Sequence, residues 1–123
     1  MHKPAGRYAS YASRLMTALL ATPGKTSREL RRAVLARASE LGGGGGSGGG
    51  GSADGNERPA ALTAYVDKVA RHAYKVTDED VAALQRAGNS DDALFETTVA
   101  AAVGAALGRL ERGLAALRGE IPD

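Results

Sequence analysis

The chain has 123 residues, of which 43% are hydrophobic and 24% charged, with a formal net charge of +2 and no cysteine or tryptophan. That length holds one small domain spanning residues 1–123, and without cysteine there can be no disulfide, thiolate metal site or thiol nucleophile. The longest strongly apolar run, Val99 to Leu107, is half of what a bilayer-spanning helix needs, and no signal-peptide pattern opens the chain, so a soluble cytoplasmic protein with no membrane contact is expected.

Helical periodicity runs through nearly the whole sequence, with no useful strand-like alternation. Tyr8, Tyr11, Ala12, Leu15 and Leu19 place an apolar stripe on a first helix from about Tyr8 to Ala21, which Pro23-Gly24 ends. Thr26 or Ser27 caps a second helix, driven by Leu30, Val34, Ala38 and Leu41. Arg28, Arg31, Arg32 and Arg37 are assigned to its exposed face.

After Leu41 the chain reads GGGGGSGGGGSADGN, residues 42–56. A phosphate-cradling loop needs a preceding strand and usually a following Lys; a helix precedes this tract and no Lys follows it closely. Glycine and serine in this proportion behave as a random coil, so a flexible linker within the domain is expected. The repeat is compatible both with a natural glycine expansion and with an engineered spacer that replaces a natural segment.

Pro59 suits the first turn of a third helix, roughly Pro59 to Lys75, with Leu62, Val66, Val69, Ala73 and Val76 as its stripe. Thr77-Asp78-Glu79-Asp80 opens a short fourth helix with a threonine cap and acids in the first turn, its Val81, Leu84 and Ala87 facing inward, and Gly88-Asn89 closes it. Ser90-Asp91-Asp92 caps the longest helix, about Asp91 to Arg118. Its Val103, Leu107, Leu110, Leu114 and Leu117 recur at spacings of four and three, a heptad seam, while Gly104 and Gly108 permit close approach of another helix.

The expected fold is therefore all-α, a small bundle of about five helices. Its apolar content is largely alanine, so the core is thin, and thin helices favour a homo-oligomer (a dimer, trimer or hexamer) joined through the C-terminal helix. Charge is uneven: residues 1–41 carry eight Lys/Arg against Glu29 and Glu40, and residues 53–123 carry eight against twelve acids. Attraction between the two halves, or between subunits, accounts for this. The lack of interleaved aromatics argues against nucleic acid.

The stretch AYVDKVARHAYKVTDEDVAALQRAGNSDDALFETTVAAAVGAALGRLERGLAAL, from Ala64 to Leu117, resembles the C-terminal half of the carboxymuconolactone decarboxylase family, which includes the alkylhydroperoxidase D-like proteins. The matching positions are Val76 to Gly88, Ser90 to Glu96 and Arg109-Leu110, with Pro23-Gly24 and Leu30-Arg31-Arg32-Ala33-Val34 similar to the family's approach to its active helix. The resemblance implies an alkylhydroperoxidase D-like helical unit that assembles as trimers or hexamers. The family's redox members carry a Glu, a Cys-x-x-Cys and a His on the next helix. Here the glycine tract stands in that place, and His72 falls too late to match. No catalytic residue carries over, and thiol-dependent peroxidase chemistry is excluded.

One group retains acid–base potential. Tyr65, Lys68, His72 and Lys75 fall at i, i+3, i+7 and i+10 on the third helix, where a His beside a Tyr and an anion-anchoring Lys would suit proton transfer. Asp67 and Arg71 read as an i, i+4 ion pair. The clusters Asp78-Glu79-Asp80 and Asp91-Asp92 are explained as helix caps, and two histidines without cysteine give no zinc site, so neither metal nor cofactor is expected. The leading expectation is a non-redox helical oligomer that acts as a binding, accessory or structural protein, with a possible small-molecule or protein partner. The alternative is a cofactor-free decarboxylase, lyase or isomerase using His72, Tyr65 and Lys68 at a subunit interface.

Overall fold

A computed structural model describes residues 6–43 and 60–119. The helices are α1 (Gly6–Ala21), α2 (Arg28–Gly42), α3 (Ala60–His72), α4 (Asp78–Arg86) and α5 (Asp91–Leu117), with a 3-10 turn at Ala73–Lys75. The all-α expectation holds, with no strand among the described residues. Of the expected linker, Gly42 and Gly43 belong to the end of α2, where the Gly43 N–H bonds the Ser39 carbonyl at 2.9 Å. The remainder, with Pro59 and His2, lies outside the described residues.

Helix starts follow their side-chain caps. Of the two candidates before α2, Ser27 is the cap, its hydroxyl accepting the Leu30 N–H at 2.9 Å. Thr77 and Asp80 form a complete capping box at α4: the Thr77 hydroxyl accepts the Asp80 N–H at 3.1 Å, and the Asp80 carboxylate accepts the Thr77 N–H at 2.9 Å. Ser90 opens α5 by accepting the Ala93 N–H at 3.1 Å. Gly88, with φ of 107°, takes the left-handed conformation that ends α4.

The centre of the fold is α5 against α2. Gly104 sits under the Leu35 carbonyl and Gly108 under the Ser39 carbonyl, so the two helices run parallel with their backbones in close approach. The buried side of α5 is Leu94, Thr97, Ala100, Ala101, Gly104, Ala105 and Gly108. α3 completes the core with Leu62, Tyr65, Val66, Val69 and Ala70, and α4 adds Leu84. The Arg109 guanidinium donates to the Ala70 carbonyl at 2.6 Å, holding the end of α3 to α5.

Several expectations change here. The residues Val103, Leu107, Leu110, Leu114 and Leu117 are not the core face of α5, since Leu110 is 43% and Leu117 84% exposed. The α1 stripe is only half used: Leu19 packs on the core, whereas Tyr11 and Leu15 are exposed. In α4, Ala87 is exposed and not inward. The arginines of α2 do not share one solvated face, because Arg31 is buried and Arg37 grips Asp67 of α3 with two bonds of 2.8 and 2.7 Å. Asp67 therefore answers to α2, across the helix pair, and not to Arg71. By length and composition alone α5 is also apolar enough to cross a membrane, the one such helix among the described residues.

Candidate functional site

The three residues proposed for acid–base chemistry have different partners. Tyr65 is buried, and its hydroxyl lies 2.7 Å from the Thr98 hydroxyl, which spends its own proton on the Leu94 carbonyl at 2.7 Å. Tyr65 is therefore the donor, and its proton is committed inside the α3–α5 packing. Lys68 forms an ion pair with Asp80 at 2.8 Å, tying α3 to the first turn of α4. The Lys68 hydrogen bond, with the Thr77 N–H, holds the Asp80 carboxyl below its ordinary value.

His72 has left the helical backbone region, with φ −146° and ψ 62°, so the i, i+3, i+7 stripe ends before it. Its ring is exposed and meets Tyr74 edge-on at 5.9 Å. Tyr65 and Lys68 share a shallow depression of about 220 Å³ with Ala61, Ala64 and Glu79, and His72 does not line it. Of the three groups, that depression thus brings together Tyr65 and Lys68 alone. No group of three or more His, Asp or Glu is placed to hold a metal among the described residues.

The most elaborate polar arrangement is instead one centred on Arg31. Its Nε donates to the Leu19 carbonyl at 3.1 Å, one terminal nitrogen to the Thr26 carbonyl and hydroxyl at 2.7 and 3.0 Å, and the other to the Leu20 and Thr22 carbonyls at 3.3 and 2.7 Å. A guanidinium has five N–H groups, so every donor is engaged. The free carbonyls at the end of α1, which a helix C-terminus leaves without partners, are satisfied by this one side chain. Glu96 of α5 supplies the countercharge at 3.7 Å and accepts from the Lys25 N–H at 2.8 Å and from the Thr26 N–H and hydroxyl at 2.8 and 2.7 Å. Burial pushes the Glu96 carboxyl up, but those hydrogen bonds and the Arg31 charge outweigh it and leave it below its ordinary value. Gly24 lies against this carboxylate: a Cβ there would stand 2.5 Å from a Glu96 oxygen, so a side chain would have to push the carboxylate aside.

Above Arg31 and Glu96 lies a groove of about 390 Å³ between α1 and α5, walled by Leu15, Ala18, Leu19, Phe95, Val99 and Val103. A second depression of similar volume follows further along α5, between Ala12 and Met16 of α1 and Leu107, Leu110 and Leu114. Sequence reasoning missed both the arginine clamp and the groove. The clamp was detectable: Arg31 shares the i, i+3, i+4, i+7 phase of Val34, Leu35 and Ala38, the buried stripe of α2. No family model matches this sequence, and neither a curated protein nor a solved structure matches it.

Proposed function

We propose that the protein acts by association and not by catalysis, as a non-redox helical homo-oligomer related to the carboxymuconolactone decarboxylase family. The observation that carries this reading is the exposed seam on the C-terminal part of α5. Leu110 and Leu117 stand in solvent at 43% and 84% exposure, in heptad phase with Val103, Leu107 and Leu114. α2 ends at Gly42, with its cap Gly43 beside Gly108, so the last turns of α5 continue beyond it. A regular apolar stripe with exposed leucines is the pattern by which helices pair. Glu111 and Arg118 beside it pair with each other at 3.8 Å within the chain, so their charges are balanced there without a partner. Kinship with the family rests on the stretches Val76–Gly88, Ser90–Glu96 and Arg109-Leu110.

Sedimentation equilibrium over a range of protein concentrations tests this. The native chain is expected to sediment as a dimer, trimer or hexamer, and the double variant Leu110→Glu/Leu117→Glu as a monomer of unchanged helicity. A native chain that stays monomeric at high concentration overturns the reading.

A further inference from the structure

The groove between α1 and the N-terminal half of α5 adjoins the seam of self-association at Val103 and lies away from Leu110 and Leu117, and its chemistry points to a different kind of occupant. We propose that it binds a small uncharged apolar molecule, an alkyl chain or an aromatic hydrocarbon ring. Its volume of about 390 Å³ falls in the range of small-molecule sites, roughly 300–1,000 Å³. Leu15, Ala18 and Leu19 form one wall, and Phe95, Val99 and Val103 the other.

The charge balance of the floor selects the ligand. Arg31 and Glu96 are the two ionised side chains lining the groove, and they neutralise each other. All five Arg31 donors are taken by the α1–α2 turn, and both Glu96 oxygens accept internal bonds. The Thr22 hydroxyl is likewise spent, on the Ala18 carbonyl at 2.5 Å. A charged or strongly polar ligand would give up its hydration here without gaining a partner, whereas an apolar one removes the walls from water.

The same arginine anchors one wall of the groove. By binding the Leu19, Leu20 and Thr22 carbonyls it ties the end of α1 to α2. Phe95, 69% exposed, stands at the mouth as a ring available to cover an occupant.

Fluorescence titration of the full chain with phenyl-naphthylamine, an uncharged apolar probe, tests the proposal. Saturable binding at one site per chain is expected, with its sulfonated analogue at least about tenfold weaker. Equal binding of the two probes, or no saturable binding, overturns it. Val99→Trp and Ala18→Phe fill the groove from opposite walls, and each is expected to weaken the probe by about tenfold or more. The Leu110→Glu/Leu117→Glu variant is expected to bind normally, so a failure of self-association and a failure of the groove are distinguishable. Loss of binding in that variant would instead place the site between copies and overturn the assignment. Methyl NMR on the native chain decides without mutation: shifts confined to Leu15, Leu19, Val99 and Val103 support the groove, and shifts centred on Leu110 and Leu117 contradict it.

Discussion

α5 meets α2 along Ala101, Gly104, Ala105 and Gly108, and faces α1 along Phe95, Val99, Val103 and Leu107. On the first side the backbones come so close that a Cβ on Gly104 or Gly108 would run into the carbonyl oxygens of Leu35 and Ser39. On the second side the larger side chains leave open volumes of about 390 Å³. Burial on this helix therefore follows smallness more than hydropathy. Small residues let two backbones approach and bring many atoms into contact. Leu110, Leu117 and Phe95 are left where another molecule can reach them.

Removing the link between these two regions is expected to have the largest effect. Arg31→Met would strand the α1 carbonyls and leave the Glu96 carboxylate without its countercharge, at a cost of about 3–5 kcal/mol in urea unfolding. Arg31→Lys keeps the charge but has three donors where five are used, so it should recover only part of that loss. Next comes the tight face itself: Gly108→Leu overpacks the α2–α5 contact and should cost about 1–3 kcal/mol. Gly113, on the same helix, has open space where its Cβ would stand. Gly113→Ala should therefore stabilise by about 0.5–1 kcal/mol through helix propensity. If both glycine substitutions had the same sign, close packing would not be what separates the two sites.

The acid limb of stability sharpens the contrast further. Glu96 and Asp80 both have folded-state pKa values below their ordinary 4.5 and 3.8. Their contribution is complete above those ordinary values and is lost as pH falls through the lowered folded ones. Stability should thus decline with acid below about pH 4.5, and Glu96→Gln should flatten that decline while lowering stability at neutral pH. Substitutions on the open face should change least. Leu15→Ser, at a position 48% exposed, should alter unfolding by no more than about 0.5 kcal/mol.

Much of the fold was legible from local chemistry. Ser27, Thr77 and Ser90 mark helix starts by hydrogen bonds within three residues, so their neighbours in sequence suffice to read them. Gly104 and Gly108 announced a close helix contact, which α2 makes. The choice of face on α5 was less legible. Leu107, Leu110 and Leu114 dominate any hydropathy pattern, while Ala100, Ala101 and Ala105 contribute little to one and yet fill the core. Of the acid–base trio, His72 does not line the depression that Tyr65 and Lys68 share; the backbone departs from helix at His72, a change that side-chain spacing does not report. Arg31 was misassigned by type, as arginine is seldom buried, although its phase with Val34, Leu35 and Ala38 pointed inward.

Because the chain contains no cysteine, a single introduced thiol carries a label at a unique place. A spin label at Leu117→Cys, measured by dipolar electron resonance, tests most directly whether the open end of α5 is where two copies meet. Self-association through that seam predicts a defined distance between labels on different chains, which fades when unlabelled protein is mixed in. A signal with no dipolar modulation at any concentration would contradict it.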